Sequence, residues 1–101
     1  MPAKQVVSEH DKRMAYANER FANAGVPGWQ TDRGRIYILY GPPTTIESNA
    51  LLCPSERWNY DRISGVGDRI HIDFVDEAGR GDFRMVQVIN ARDYTERPIR
   101  D

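Results

Sequence analysis

The sequence predicts an α+β fold, an N-terminal helix packed on one face of a four-stranded, mostly antiparallel sheet. Three observations predict it. Apolar residues recur at helical spacing over residues 8–24. Residues 35–40 form a run rich in β-branched and aromatic side chains. Three further stretches, 56–60, 69–76 and 82–89, lean toward strand alternation and are joined by short glycine-containing connections.

The helix opens at Ser8, which with Asp11 fits the S-x-x-D capping pattern. Met14, Ala17, Phe21 and Ala24 share one stripe, and Glu9, Lys12, Arg13, Glu19 and Arg20 lie opposite. Asn18 falls inside the apolar stripe, and a buried amide without partners costs about 1–3 kcal/mol. Its expected role is to hold backbone in the Gly28-Trp29 loop. Gly25 and Pro27 end the helix.

Residues 35–40 place Ile36, Ile38 and Tyr40 on one face of a strand and Tyr37 and Leu39 on the other. Both faces are apolar, which predicts a central or doubly covered strand. Gly41-Pro42-Pro43 stops it. Residues 44–54 read as a loop with a helical turn near Thr45–Ser48, folding Leu51 and Leu52 over the core. In the next strand Glu56, Trp58 and Tyr60 share a face. In the third, Ile70, Ile72 and Phe74 point inward. The last strand slips its alternation between Met85 and Val86, which predicts a bulge or burial on both faces. From about residue 91 the chain reads as a polar tail.

A length of 101 residues suits a single domain spanning the whole chain. The 14 basic and 15 acidic residues are interspersed and the net charge is −1. That argues against a nucleic-acid module or a polybasic membrane binder. No apolar run approaches the ~20 residues of a membrane span, so membrane insertion is not expected. Met1-Pro2-Ala3-Lys4-Gln5 has no apolar core of a signal peptide. The single cysteine, Cys53, has no intrachain partner and lacks a neighbouring His or Lys to activate it.

The residues with chemical potential have ordinary readings beside their sharper ones. Gly28-Trp29-Gln30-Thr31-Asp32 joins a large aromatic to a turn-forming acid. The expected structure is a clasp, in which the Asp32 carboxylate bonds backbone two residues on and the buried indole anchors the loop. The sharper reading is a ligand site with Trp29 as platform and Asp32 and Arg33 as polar contacts. His71, Asp73 and Asp76 have spacing compatible with metal ligation, but two ligands on a strand face are too few, and no metal is expected. Glu56 and Asp82 would meet if their strands were adjacent, giving a pair of carboxylates. Nucleophile elbows and phosphate loops do not occur, and no cofactor is implied.

The string Gly28-Trp29-Gln30-Thr31-Asp32 resembles the signature of the GWxTD domain, a bacterial module. The likeness extends to Ala17-Asn18-Glu19-Arg20-Phe21, to residues 32–43, to Glu56-Arg57-Trp58-Asn59-Tyr60 and to Gly79-Arg80-Gly81-Asp82-Phe83-Arg84. Asn49–Ser55, with Cys53, departs from the pattern as an insert. The resemblance implies a module without established activity, part of larger, often exported or periplasmic bacterial proteins. A fainter likeness joins Gly41-Pro42-Pro43, W-x-Y and a hairpin to small assembly lipoproteins of the bacterial outer membrane. In those the segment before Gly-Pro is helical, whereas Ile36–Tyr40 favours a strand.

The expected function is a non-enzymatic binding or scaffold module whose partner is another protein or the remainder of a parent chain. A homodimer is compatible with it. The contact surface is expected at Trp29, Thr31, Asp32, Arg33, Tyr40, Glu56, Trp58 and Tyr60. One alternative is a hydrolase using Asp32, Glu56 or Asp82 as acid or base with Arg33 holding an anion. Another is a purely structural domain.

Overall fold

The computed structural model describes residues 8–90. The expected tail from 91 and the extreme N-terminus lie outside them. The helices come first and the sheet second, an α+β arrangement. The chain divides into two compact units between Gly41 and Pro42.

In the first unit, helix α1 (Glu9–Phe21) starts as the sequence predicts. The Ser8 hydroxyl accepts from the Asp11 N–H at 3.0 Å. The helix ends at Phe21, three residues short of Ala24. Ala24 and Gly25 instead turn with φ of 40° and 86°, closed by paired backbone bonds between Asn23 and Val26. A short 3₁₀ turn follows at Gly28–Gln30.

The expected strand over 35–40 is a helix, α2 (Asp32–Tyr40). Five consecutive apolar residues do not distinguish strand from buried helix by period. The ends decide. The Thr31 hydroxyl caps α2 by accepting from the Gly34 N–H at 3.0 Å, and Asp32 supplies a carboxylate in the first turn. Gly41, with φ of 83°, closes the helix with its N–H on the Tyr37 carbonyl. The segment before Gly41-Pro42-Pro43 is therefore helical.

α2 packs on α1. Tyr16 and Tyr37 stack at 4.3 Å, and Phe21 meets both rings at 6.0 Å. Arg13, assigned by periodicity to the charged face, reaches the carboxyl end of α2. Its guanidinium donates to the carbonyl oxygens of Ile38 (3.2 Å) and Leu39 (3.4 Å), while Nε pairs with Glu9. A cation there is favoured by the helix dipole and by carbonyls that lack an intrahelical donor.

The second unit is a four-stranded antiparallel sheet in the order β1-β2-β3-β4: Thr45–Asn49, Ser55–Ile63, Gly67–Val75 and Arg84–Asn90. β1 occupies the stretch expected to be a loop with a helical turn. It is held by regular pairing with β2 and by the Asn59 amide, which donates to Thr45 Oγ1 (3.0 Å) and Glu47 (2.8 Å). Leu51 and Leu52 do not fold over the core. They are 88% and 97% exposed, because Asn49 accepts the Leu51 N–H at 2.7 Å and turns the loop outward. The register slip near Met85 is a bulge opposite Asp73 and Phe74, and β4 is largely exposed rather than buried on both faces.

Alternation gives the sheet two different faces. Trp58, Tyr60, Ile70, Ile72 and Phe74 are buried together, with the rings of Trp58 and Phe74 4.9 Å apart. The opposite face carries Arg57, Asn59, His71, Asp73 and Gln87. Arg57 grips Asp73 in a two-pronged pair at 2.7 and 3.0 Å, Gln87 donates to Asp73 at 2.6 Å, and His71 meets Asn59. The β3–β4 connection is organised by Asp76. Its carboxylate is buried and accepts from the backbone N–H groups of Arg80 (3.1 Å) and Gly81 (2.7 Å). Burial pushes its pKa up, but the N–H groups of Gly81, Arg80, Asp82 and Gly79 outweigh that and hold it below the usual 3.8.

The hydrogen bond from Arg57 chiefly, and that from Gln87, hold the Asp73 carboxyl below 3.8 despite partial burial. A group depressed in the folded state stabilises above its unfolded pKa and loses that contribution as pH falls through the folded value. Asp73→Asn is therefore expected to cost about 1 kcal/mol at pH 7, allowing for screening of the half-exposed guanidinium. Urea unfolding of the two proteins should show this gap closing as pH drops below about 4.

Candidate functional site

The Gly-Trp-Gln-Thr-Asp turn sits where three backbone segments meet. A Cβ on Gly28 would lie 1.8 Å from the Ala17 carbonyl oxygen, and one on Gly34 would lie 1.8 Å from the Gly28 carbonyl oxygen. Only hydrogen fits at either position. The turn is thus pressed between α1 on one side and the first turn of α2 on the other.

Polar groups then fix what the glycines allow. The Trp29 N–H donates to Asn18 Oδ1 at 2.9 Å, the role expected of Asn18. The Gly28 carbonyl accepts from the Thr31 hydroxyl at 2.7 Å and the Thr31 N–H at 3.1 Å. The same hydroxyl accepts from Gly34, so one side chain closes the turn and starts the helix. The bonds that close this turn come from the Thr31 cap. Asp32 occupies the first helical position, where its charge faces the positive end of the α2 dipole.

The indole was expected to anchor the loop by burial. It does not: Trp29 is 45% exposed. The locked backbone holds a large aromatic partly in solvent. Arg33 lies over the Phe21 ring at 4.9 Å, and Arg20 over Tyr16 at 5.3 Å. Burial, and then Tyr16, raise the pKa of Tyr37, so its phenol stays neutral at physiological pH. Tyr40 is half-buried near the end of α2.

The remaining candidates lie on the sheet. Trp58 is fully buried and Tyr60 is 4% exposed, so both belong to the core and neither offers a contact surface. Glu56 accepts from the Trp58 indole N–H at 3.0 Å. Asp82 lies before β4, where Arg84 holds it at 2.9 Å. The sheet order places β3 between β2 and β4, so Glu56 and Asp82 are not on adjacent strands as expected. Of the residues considered for metal, Asp73 serves Arg57 and Asp76 the backbone. Among the described residues no cluster of three His, Cys, Asp or Glu side chains could hold a metal ion. A groove of about 390 Å³ crosses one end of the sheet, lined by Glu47, Ser55, Glu56, Arg57, Asp73 and Gln87 among others.

Sequence reasoning missed Arg13 and the dual role of Thr31. A signal for the second was present: Thr31, Asp32 and a Gly41-Pro42 stop nine residues later mark a helix with both ends defined.

A family model, the GWxTD domain, matches residues 1–97. Comparison with curated proteins finds no match, and comparison with solved structures finds none.

The turn geometry orders the substitutions. Gly28→Ala and Gly34→Ala force backbone apart and are expected to cost about 3 kcal/mol or more in urea unfolding, at or beyond the upper range for overpacking. Thr31→Ala removes a helix cap and should cost about 1 kcal/mol, with Thr31→Ser recovering most of it.

Proposed function

The chain belongs to the GWxTD domain family, and from that premise we propose that it is a non-enzymatic binding module whose partner is another protein or the remainder of a longer chain. The observation that carries this reading is the division of labour within the signature. Gly28 and Thr31 fix the backbone, while the indole of Trp29 stands 45% exposed on a turn that is not free to move. A rigidly presented tryptophan is the side chain that most often dominates a protein interface, because little conformational entropy is lost when it docks.

The carboxylates considered for acid–base chemistry support the same reading. Glu56 holds an indole, Asp82 an arginine, and Asp32 begins a helix. The alternative of a purely structural motif requires the indole to be a packing element, and its exposure weighs against that. The expected contact surface shrinks accordingly. Trp29, Asp32, Arg33 and Tyr40 remain; the buried Trp58 and Tyr60 leave it, as do Thr31, whose hydroxyl closes the turn, and Glu56, which accepts from the Trp58 indole.

Two measurements test this. Trp29→Ala is expected to cost about 1 kcal/mol or less, whereas Trp58→Ala should cost the ~3–5 kcal/mol of a core tryptophan. A photo-crosslinking residue at position 29, in the protein produced in its native cells, is expected to give a discrete adduct that the same residue at the exposed Arg62 does not. A large loss of stability in Trp29→Ala with no adduct would instead favour the structural motif.

A further inference from the structure

The two outer strands of the sheet are unequal. β4 carries a bulge and begins with Arg84, features that discourage a further strand from pairing. β1 carries neither Pro nor Lys, its five residues pair with β2 in unbroken register, and all five are exposed. It is an end strand of the sheet among the described residues, and every second N–H and C=O of such a strand points away from its neighbour.

Charge narrows what would pair there. Glu47 stands at the centre of β1, held by Asn59 at 2.8 Å but exposed. The groove beside it is lined by Glu47, Glu56, Asp73 and Arg57, with Arg57 paired to Asp73 and in register opposite Glu47. A second copy pairing antiparallel about the strand centre would set Glu47 against Glu47, a destabilising arrangement. A strand with Lys or Arg at that position would gain a cross-strand ion pair. Leu51 and Leu52, just past the end of β1, add apolar surface for such a segment.

We propose that β1 is an acceptor edge: an extended segment of a partner protein, with a basic residue opposite Glu47, adds to the sheet beside it. This rests on the reading of the chain as a protein-binding module and names the chemistry of one partner. Main-chain bonds supply affinity, and Glu47 selects charge.

The test titrates the full chain with two synthetic peptides of equal length, one alternating Lys and Val, the other Glu and Val. Backbone amide shifts and hydrogen exchange are the readouts. The basic peptide is expected to protect amides of residues 45–49 and to bind at least tenfold more tightly than the acidic one. Glu47→Lys should invert that preference, and Glu47→Gln, the milder variant, should abolish it, with the melting temperature of each confirming the fold. Equal binding of both peptides, protection elsewhere than β1, or a preference indifferent to position 47 would overturn the proposal. So would self-association through β1 in sedimentation. A crosslinked adduct at position 29 without protection at β1 would remove the acceptor edge and leave the binding module standing.

Discussion

At Gly28 the carbonyl edge of α1, the 3₁₀ turn and the first turn of α2 come closer than any side chain permits. A methyl group on either glycine would lie 1.8 Å from a backbone carbonyl oxygen, that of Ala17 for Gly28 and that of Gly28 for Gly34. Much else in the first unit depends on this approach. It brings Asn18 within reach of the Trp29 N–H and places Thr31 where one hydroxyl both donates to Gly28 and accepts from Gly34. It also sets α2 at the depth where Tyr37 stacks on Tyr16 and Arg13 reaches the last carbonyls. Ala17 is fully buried at this contact.

The sheet unit is organised by a different principle. Its apolar face is conventional packing around Trp58 and Phe74, but its polar face is a network of paired groups rather than a solvated surface. Asp73 is shared by Arg57 and Gln87, and Asn59 by Thr45, Glu47 and His71. These side chains run across neighbouring strands. They resist slippage, because a shift of one residue would carry each group to the other face. No buried side-chain nitrogen or oxygen among the described residues lacks a hydrogen-bond partner.

Much of this was legible in the residues. Ser8 and Asp11 marked the start of α1, and Ile70, Ile72 and Phe74 marked the inward face of β3. The slip at Met85 left a bulge or burial on both faces open, of which the bulge is present, and Asn18 in an apolar stripe pointed to the loop it holds. What failed did so for identifiable reasons. Ile36–Tyr40 is strand-like in composition, and only its caps and its packing on α1 make it helix, a tertiary override of local preference. Thr45–Asn49 has too little apolar content to stand out, because an edge strand is stabilised by pairing rather than burial. Trp29 was expected inside because large aromatics usually are. Its backbone is held through Gly28 and Asn18, and the indole stands 45% exposed.

The two turns of the β2–β3–β4 meander are not equivalent to an engineer. The first is closed by one backbone bond, Val66 N–H to the Ile63 carbonyl, and its Gly65 has open space around it. The second is gathered by the carboxylate of Asp76 onto the amides of residues 79–82. An affinity tag, a reporter or a new pair of chain ends would be absorbed at Ser64–Gly65 as a longer loop. Spliced between Gly79 and Gly81, the same sequence would strand a buried anion away from its donors.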